Sequence, residues 1–334
     1  MAAPKNILRD VVVDMIKISL REIIYLMNRF VASLFLATVP LVAAVNVTRD
    51  ANVVHIEIDG KPFSDFYFGP DAPKPYLHPL RSASGKIVTR RFPMEKVEGE
   101  TTSDVHHRGV WLGYSSVNGF DFWQNEVSEN NKLAGKVVTV SVGDLKSGDT
   151  GSLRGVFRWL SPSGEAMLEE TRSMVFRRTG ALRIVDVDIA LRALVDTKFG
   201  DSKDGAFCIR LAEPLIEKNG GVITNSAGGR GMKETWGKQA DWVDYSGELQ
   251  GEKVGIAMFD HPASFHHPAR WHVRDYGLLG LNPFGSSAFD KDLPDSAFTL
   301  ANGKALRLRY RFVIHPEVSR TEIEKLYAEY AGQR

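Results

Sequence analysis

The stretch that decides the fold is Leu306-Arg307-Leu308-Arg309-Tyr310-Arg311-Phe312-Val313-Ile314. Apolar side chains alternate in it with three arginines, and successive residues of a β-strand point to opposite faces of a sheet. Leu306, Leu308, Tyr310, Phe312 and Ile314 are therefore predicted to face a core, and the arginines the other side. A long strand with one apolar and one polar face is typical of an antiparallel sheet.

Comparable strand patterns recur along most of the chain. Val185, Val187, Ile189 and Leu191 alternate with acidic residues, and residues 51–58, 136–142, 153–160, 167–178 and 254–259 are further candidate strands. Turn pairs such as Asp59-Gly60 and Asn302-Gly303 separate them. Strands that follow one another without helical periods predict an all-β fold, here a large antiparallel β-sandwich.

A single clear helix is predicted at the C-terminus. Ser319 and Glu322 form a capping-box pattern, and Ile323, Leu326, Tyr327 and Tyr330 follow at helical spacing. Residues 218–252 mix glycines with aromatic residues and are expected to form a long, ordered loop. We find no internal repeat or linker, so residues 45–334 are predicted to form one sandwich domain.

Residues 1–44 are predicted to form a signal-peptide region. Met27-Asn28-Arg29 is a short basic start, residues 30–42 are mostly apolar, and small residues follow at the expected cleavage site. Acidic residues within 1–26 do not fit a signal, which suggests that Met27 is the true initiator. The mature protein is therefore expected to be exported to the periplasm or cell exterior, with no stable membrane span after signal removal.

Composition excludes several other classes of protein. The chain has 334 residues and a formal net charge of +1, which gives no reason to expect nucleic acid as a partner. Cys208 is its only cysteine, so an intramolecular disulfide and a cysteine-based zinc site are excluded. The sequence also lacks a phosphate-binding loop and a Gly-x-Ser-x-Gly nucleophile motif.

Two histidine clusters are the strongest candidates for chemistry. The first is Asp104-Val105-His106-His107-Arg108-Gly109-Val110-Trp111, in a run suited to a β-strand, and the second spans residues 261–272. Imidazole can give and take a proton near neutral pH, and arginine binds carboxylates and other oxygen-rich groups through a planar fork. Together the clusters predict acid–base chemistry, provided that the fold brings them to one cavity.

The other candidate residues are carboxylates and aromatic side chains. Asp204 precedes an apolar strand, although a simple turn role is an alternative, and Asp241 lies between two tryptophans. Five of the six tryptophans lie in or near the polar clusters, which modestly favours a sugar, since sugar C–H faces stack on rings. The predicted substrate-binding residues are Trp111, Trp236, Trp242, Tyr245, Trp271 and Asn282.

No cofactor is predicted, but a divalent metal remains an alternative. One histidine from each cluster and a carboxylate could bind an ion. In a regular strand His106 and His107 would point to opposite faces, so both could not bind the same ion. No His-Glu-x-x-His or His-x-His spacing supports a metal site.

Several stretches of the chain resemble the PmoA-like proteins of bacteria, a family of unknown function. The matching stretches are PYLHPLRSASGKIVTRRFP (75–93), HHRGVWLGYSSVNGFDFW (106–123), DSKDGAFCIRLAE (201–213), NSAGGRG (225–231) with TWGKQADWVDYSG (235–247), and FDHPASFHHPARWHVRDYGLLGLNPFG (259–285). The family's Asp-His-Pro-His-His-Arg pattern is kept only at His106, His107 and Arg108. The family name suggests methane oxygenase, but the sequence has none of the long apolar helices of such a membrane subunit.

The resemblance implies a galactose-mutarotase-like sandwich (a supersandwich), a fold shared by mutarotases, sugar hydrolases and polysaccharide lyases that use histidine and carboxylate as acid and base. A fold analogy establishes no reaction. Our hypothesis is an exported enzyme that acts on a sugar or glycoside by hydrolysis, elimination or epimerisation. Its proposed groups are a proton donor (His106 or His107), Arg108 on a substrate oxygen or carboxylate, His267 or His272 as the second acid–base group, and Asp204 or Asp241 as orienting group or base. The alternatives are a non-catalytic carbohydrate-binding protein and a metal-dependent sugar enzyme.

Overall fold

The computed structural model describes residues 44–125 and 131–333, and the described residues form one compact unit. Two eight-stranded antiparallel sheets pack face to face, so the prediction of a large antiparallel β-sandwich is confirmed. The first sheet runs in the order β1 (Val45–Asp50), β2 (Val53–Ile58), β3 (Lys61–Tyr67), β4 (Tyr76–His78), β5 (Val110–Tyr114), β11 (Gly205–Arg210), β16 (Leu278–Asn282), β15 (Arg270–Val273).

The second sheet contains the longest strands. Its order is β12 (Val222–Asn225), β13 (Trp242–Leu249), β14 (Glu252–Asp260), β18 (Ala305–Pro316), β9 (Leu182–Ala193), β8 (Ala166–Thr179), β7 (Gly151–Leu160), β6 (Lys136–Lys146). A separate two-stranded ribbon joins β10 (Thr197–Phe199) to β17 (Phe298–Leu300).

The core between the sheets follows the alternation of the sequence. All five apolar residues of β18 that were predicted to face inward are buried in it, beside the alternating apolar residues of β9. Phe207 of the first sheet stacks on Tyr310 of the second, with ring centroids 5.3 Å apart. On the opposite face of β18, Arg311 pairs with Asp186. The sequence pattern therefore places the buried face of this strand correctly.

The predicted C-terminal helix is present as Arg320–Ala331. Ser319 caps it, and both hydrogen bonds of the capping box with Glu322 are formed. Ile323 and Tyr330 of the helix pack on the outer face of the second sheet. The helix thus covers apolar side chains that would otherwise face solvent.

Two expectations about local structure are wrong. The run before Trp111 is a turn up to Gly109, and β5 begins only at Val110. Residues 218–252 are not a long loop: they contain most of the 3-10 turn Glu217–Asn219, strand β12, the short helix Gly231–Thr235 and strand β13. β13 pairs with β14 along its whole length, and this long-range pairing outweighs the glycine content on which the expectation of a loop rested.

Residues 1–43 of the predicted signal-peptide region lie outside the described residues. Among the residues that the structure does describe, no helix is long and apolar enough to cross a membrane.

Candidate functional site

The outer face of the first sheet carries a continuous row of polar and aromatic residues. Neighbouring strands place Tyr67, Tyr76, Trp111, Cys208, Gly280 and His272 opposite one another, in that order from β3 to β15. Tyr76, Trp111 and Cys208 belong to a cluster separate from the main core. Alternate residues such as Val110 and Phe207 face that core. The row therefore lies on the side of the sheet that faces away from the sandwich interior.

A tight turn places two histidines over this row. The turn closes where the His107 N–H donates to the Asp104 carbonyl at 3.0 Å. Gly109 has a φ of 54°, and a Cβ at this position would clash with the carbonyl oxygen of Leu77 on β4. Only glycine therefore lets the chain pass so close to β4 as it leaves the turn and enters β5.

Five rings form one connected cluster at the centre of the site. The His107 ring stacks on Trp111 at 5.0 Å and lies 4.2 Å from the His106 ring. Trp123 contacts both histidines and Trp111, and on another side it stacks with His272 at 6.3 Å. We refer to His106, His107, Trp111, Trp123 and His272, with Asp204, as the outer-face site.

Loops fix the position of Trp123 and of the segment that holds Asp204. The Asp121 carboxylate accepts the N–H groups of Trp123 and Gln124. Asn282 on β16 donates to the Ser202 carbonyl at 2.8 Å and accepts the N–H groups of two residues in the following loop. Asn282 therefore organises the loops beside the site rather than standing free to meet a ligand.

Asp201 is the main anchor of the loop that follows β16. Its carboxylate accepts the N–H groups of Ser286, Ser287, Ala288 and Ser296. Partial burial would raise the pKa of Asp201, but these four hydrogen bonds outweigh burial and hold the pKa well below its usual range. Asp201 is thus ionised and structural, whereas Asp204, three residues later, pairs with Lys203 at 2.7 Å and acts electrostatically on His106 and His272.

Burial keeps the histidines of this face neutral. It lowers the pKa of His106 to about 4, and nearby Lys74 lowers it further, against the carboxylates Asp104 and Asp204. Burial likewise lowers the pKa of His272 to about 4, again opposed by Asp204, and that of His78 on β4 to about 4. The pKa of His107 also falls well below its usual value, because of burial and then of His106 and Arg210. All four imidazoles are therefore uncharged at neutral pH.

The structure brings together only part of the predicted site. His106, His107, Trp111 and His272 meet in the outer-face site, and Asp204 acts electrostatically on His106 and His272. Arg108 lies beside it, with its guanidinium 5.6 Å from the centre of the Tyr76 ring. Trp236 borders it through Phe289, which contacts both Trp236 and His272.

Other predicted residues lie elsewhere. His267 bonds to the buried carboxylate of Asp260 at 3.1 Å and lies 3.4 Å from Asp241. Its contacts are with these carboxylates and not with the five rings of the outer-face site. Both groups raise the pKa of His267 against the effect of its burial. The second histidine cluster is thus divided, and only His272 joins the first.

Three predicted sugar-binding aromatic residues are buried in structural positions. Trp242 packs under the C-terminal helix on the second sheet, covered by Arg320. Tyr245 and Trp271 lie in the main core, where the Tyr245 hydroxyl accepts the Glu217 N–H and the Trp271 N–H donates to the Ala240 carbonyl. A sugar platform built from these residues does not fit their positions, because their faces are already packed against protein.

Sequence reasoning missed the buried cations of this face. Arg210 is the last residue of the otherwise apolar strand β11 and is 1% exposed, and Arg90 and Lys74 are fully buried. The Arg90 guanidinium donates to the carbonyls of Ser103 and Asp104 and so holds the turn before His106. A charged residue at the end of an apolar strand was the available signal for Arg210.

Asp104, His106 and His107 could in principle hold a metal ion, since their ligand atoms lie within 4.8 Å of one another. The expectation that His106 and His107 could not share an ion is wrong, because they lie in a turn and not in a strand. The surroundings oppose a cation, however. Arg210 donates to Nδ1 of His107, and Lys74, Arg90 and Arg210 all act on the same imidazoles. A divalent ion would add charge to a region already rich in cations.

Comparison with known proteins gives a family but no function. A family model described as "Family of unknown function (DUF6807)" matches residues 53–328. The chain belongs to this family. Among curated proteins, none matches it.

Solved structures with partial similarity to this DUF6807 protein include α-galactosidases. AgaA and AgaB from Geobacillus stearothermophilus align at 10% identity with TM-scores of 0.42 and 0.43, and the enzyme from Lactobacillus brevis at 10% with 0.37. Each alignment covers 82% of this chain. It covers 40% of the AgaA chain, 41% of the AgaB chain and 40% of the Lactobacillus brevis enzyme. The chain thus spans about two fifths of the length of these structures.

Proposed function

We propose that the outer-face site binds a sugar and performs acid–base chemistry on it. The observation that supports this proposal is the grouping of aromatic rings with polar atoms that have no hydrogen-bond partner among the described residues. Trp111 Nε1, His78 Nδ1 and His272 Nδ1 are buried atoms of this kind on one sheet face. Buried polar atoms are normally paired, so a ligand that supplies hydroxyl groups would satisfy them.

The charge state of the histidines favours one role over another. A neutral imidazole with a pKa of about 4 is a proton acceptor at neutral pH, so His106 and His272 suit a general base better than the proton donor expected from the sequence. Asp204 acts on both rings and would stabilise the imidazolium that forms when either takes up a proton. His107 is the weakest candidate, because Arg210 already donates to its Nδ1.

Substitution of His106 tests the proposed chemistry. We expect the wild type to convert at least one member of a panel of neutral and oxidised glycosides, and His106→Gln to lower kcat by about a hundredfold or more. His55→Gln is the matched control, since His55 is a half-exposed histidine on β2, which is separated from β5 by two strands. An active wild type with an unaffected His106→Gln variant would contradict the role of His106.

The second candidate function is sugar binding without turnover. It predicts that His106→Gln retains its affinity for the sugar, whereas Trp123→Ala loses it. The reason is that the Trp123 ring contacts both His106 and His272. Calorimetric titration of both variants beside the activity assay distinguishes the two functions. Measurable affinity with no turnover on the whole panel would favour the binding protein.

We further propose that the protein is an exported member of the PmoA-like proteins. The proposal rests on the signal-like pattern of residues 1–44 and on the quoted sequence matches. N-terminal sequencing of the protein recovered from the producing cells tests it. A mature chain that begins near residue 45 is expected, and a retained Met1 would contradict export through cleavage at this site.

A further inference from the structure

We infer that the sugar bound by the outer-face site carries a carboxylate, as a uronic acid does. This inference rests on the proposed function and concerns the same site. It begins from the balance of charge around the three histidines of the outer-face site. The cations that act on His106, His107 and His272 are Lys74, Arg90, Lys203, Arg210 and Arg274, whereas the carboxylates are Asp104 and Asp204. Among the charged groups that act on these rings, cations exceed carboxylates by three, and one of the cations, Lys203, is paired with Asp204 at 2.7 Å.

The two buried arginines are only partly balanced by carboxylates. Hydrogen bonds from the Arg90 guanidinium go to the carbonyls of Thr101, Ser103 and Asp104 and to the Thr101 hydroxyl. Arg210 bonds to His107 and to the Thr101 hydroxyl, and its carboxylate neighbour Asp104 lies 3.7 Å away. Buried guanidinium groups retain their charge, so their incomplete balance leaves a positive potential inside this face.

Two further carboxylates near Arg90 are engaged with the backbone. One Glu100 oxygen accepts the N–H groups of Arg91 and Phe92, and one Glu213 oxygen accepts both the N–H and the hydroxyl of Thr101. These contacts hold Glu100 against residues 91 and 92 and Glu213 against Thr101. Both carboxylates act on Arg90, and Glu213 also acts on Arg210, so they offset part of the charge of the two arginines.

The histidines of the site do not add to this positive charge. Each of the three is neutral mainly because it is buried. An anion at this face would be attracted by the cations and would not compete with a charged imidazole. In a buried site such attraction is stronger than in water, because the effective dielectric constant is lower.

Unpaired hydrogen-bond donors on the arginines also favour a ligand that accepts hydrogen bonds. The Nε atoms of Arg90, Arg210 and Arg274 are buried and have no hydrogen-bond partner among the described residues. A carboxylate only accepts hydrogen bonds and matches the planar fork of a guanidinium, whereas a neutral hydroxyl also brings a donor that needs an acceptor. A carboxylate therefore suits this set of donors better than a neutral hydroxyl does.

Matched pairs of sugars test the inference. We would titrate the full-length protein with glucuronic acid against glucose and with galacturonic acid against galactose, at low and at physiological salt. We expect at least one acid to bind about tenfold or more tightly than its neutral partner, with the ratio falling as salt rises. Glucose 6-sulfate and galactose 6-sulfate serve as additional anions of different geometry.

Two substitutions of half-buried cations sharpen the test. Lys203→Gln and Arg274→Gln should each lower the affinity for the acid more than the affinity for the neutral sugar, so that the preference for the acid falls by about threefold or more. Lys304→Gln is the control: it removes the same charge at an exposed turn before β18 and should change neither the affinity for the acid nor the affinity for the neutral sugar. Thermal unfolding of each variant verifies that it is folded.

The outcomes separate the inference from the proposed function. Equal or tighter binding of the neutral sugars would overturn the carboxylate inference and leave the sugar site intact. Binding of the 6-sulfates as tightly as the uronic acids would overturn the assignment of a carboxylate as well. Failure of every sugar to bind at millimolar concentration would reject the sugar site itself, and the inference with it.

Discussion

The Arg210 guanidinium donates a hydrogen bond to Nδ1 of His107 at 3.3 Å, and both side chains are almost completely buried. Because arginine can only donate, His107 must present a lone pair on Nδ1, and the proton of its neutral ring resides on Nε2. This bond joins β11 to the turn before β5 and fixes the ring that stacks on Trp111. Arg210 therefore fixes the orientation and the tautomer of His107.

Replacement of Arg210 should raise the pKa of His107. In Arg210→Met one of the groups that lower this pKa is gone, but burial, the largest cause, remains, and so do His106, Arg90 and Lys74. We therefore expect the pKa to rise while staying below the usual value for histidine. Titration of the histidine ring signals by NMR measures it, and Arg154→Met, a substitution of a half-exposed arginine on β7, should have no effect. An unchanged His107 titration in Arg210→Met would contradict the pairing.

The free energy of unfolding should fall as the pH drops from about 6.5 to about 4. His78, His106 and His272 have folded-state pKa values of about 4 against 6.5 in the unfolded chain. Within this window the unfolded state binds more protons, so stability declines with falling pH, by about 3 kcal/mol for each fully depressed histidine. Above 6.5 these groups contribute no pH dependence. Urea unfolding at several pH values measures the slope.

His267 and His315 change the pH dependence of the unfolding free energy in the opposite direction. Carboxylates raise the pKa of His267 and His315 against the effect of burial, so their stabilising contribution is present at low pH and is lost as the pH rises through the raised values. His315→Gln should therefore remove the stability that is gained as the pH falls from the raised pKa to 6.5, and leave the slope between pH 6.5 and 4 nearly unchanged. A stability that is flat or rises between pH 6.5 and 4 would contradict the neutral state of the site histidines.

Loss of the buried carboxylate beside His267 should be costly. Asp260 is 0% exposed and accepts hydrogen bonds from His267 and from the Ala269 N–H. Asp260→Asn removes the buried carboxylate that favours the protonated form of His267, for which we expect a loss of about 3 kcal/mol below the raised pKa of His267, and a lower pKa of that ring. Asp241→Asn, at the half-exposed neighbour of the same ring, should cost less than about 1 kcal/mol. Equal losses in both variants would show that burial does not decide the effect.

Several strands of the second sheet could be predicted from the sequence because they have one apolar face. β9 alternates over most of its length and the sequence of β18 alternates up to Phe312, and the boundaries predicted for β7 and β8 lie close to those observed. β11 and β16 do not alternate, since both faces of these strands are buried. A short apolar run of this kind could be a buried strand or part of a buried helix, so the sequence showed no alternation from which the central strands of the first sheet could be predicted.

The candidate site could be predicted only in part, for a related reason. His106, His107 and Trp111 are neighbours in the sequence, and their chemistry could be recognised locally. The entry of His272 depends on the pairing of β15 with β16, which places alternate residues on opposite faces, whereas His267 lies before β15 and bonds to Asp260 at the end of β14. Arg90 and Arg210 reach the site through contacts distant in the sequence, which no local pattern reveals.

The capping box should make a measurable contribution to stability. Ser319 accepts the Glu322 N–H, and the Glu322 carboxylate accepts the Ser319 N–H. Ser319→Ala is expected to cost about 1 kcal/mol, because an N–H of the first helical turn loses its partner. Thr321→Ala, at an exposed position in the same turn, should change stability by less than half as much. Urea unfolding at neutral pH provides the comparison.

Asp201 should control the loop that follows β16. Its carboxylate is the common acceptor for the N–H groups of Ser286, Ser287, Ala288 and Ser296. Asp201→Asn replaces one acceptor oxygen with a donor, so several of these bonds are lost and the segment 284–297 loses its anchor. We expect faster amide hydrogen exchange there, while β8, β9 and β18 keep their protection.

The effect of Asp201→Asn should extend to ligand binding. Phe289, in the same segment, contacts both His272 and Trp236, so release of the segment removes one wall of the outer-face site. We expect sugar affinity to fall by about tenfold with little change in global stability. The control is Asp292→Asn, at an exposed position in the same segment, which should leave both the sugar affinity and the hydrogen exchange unchanged. Unchanged affinity together with faster exchange would show that the loop does not contribute to the site, and unchanged exchange would show that Asp201 is not its anchor.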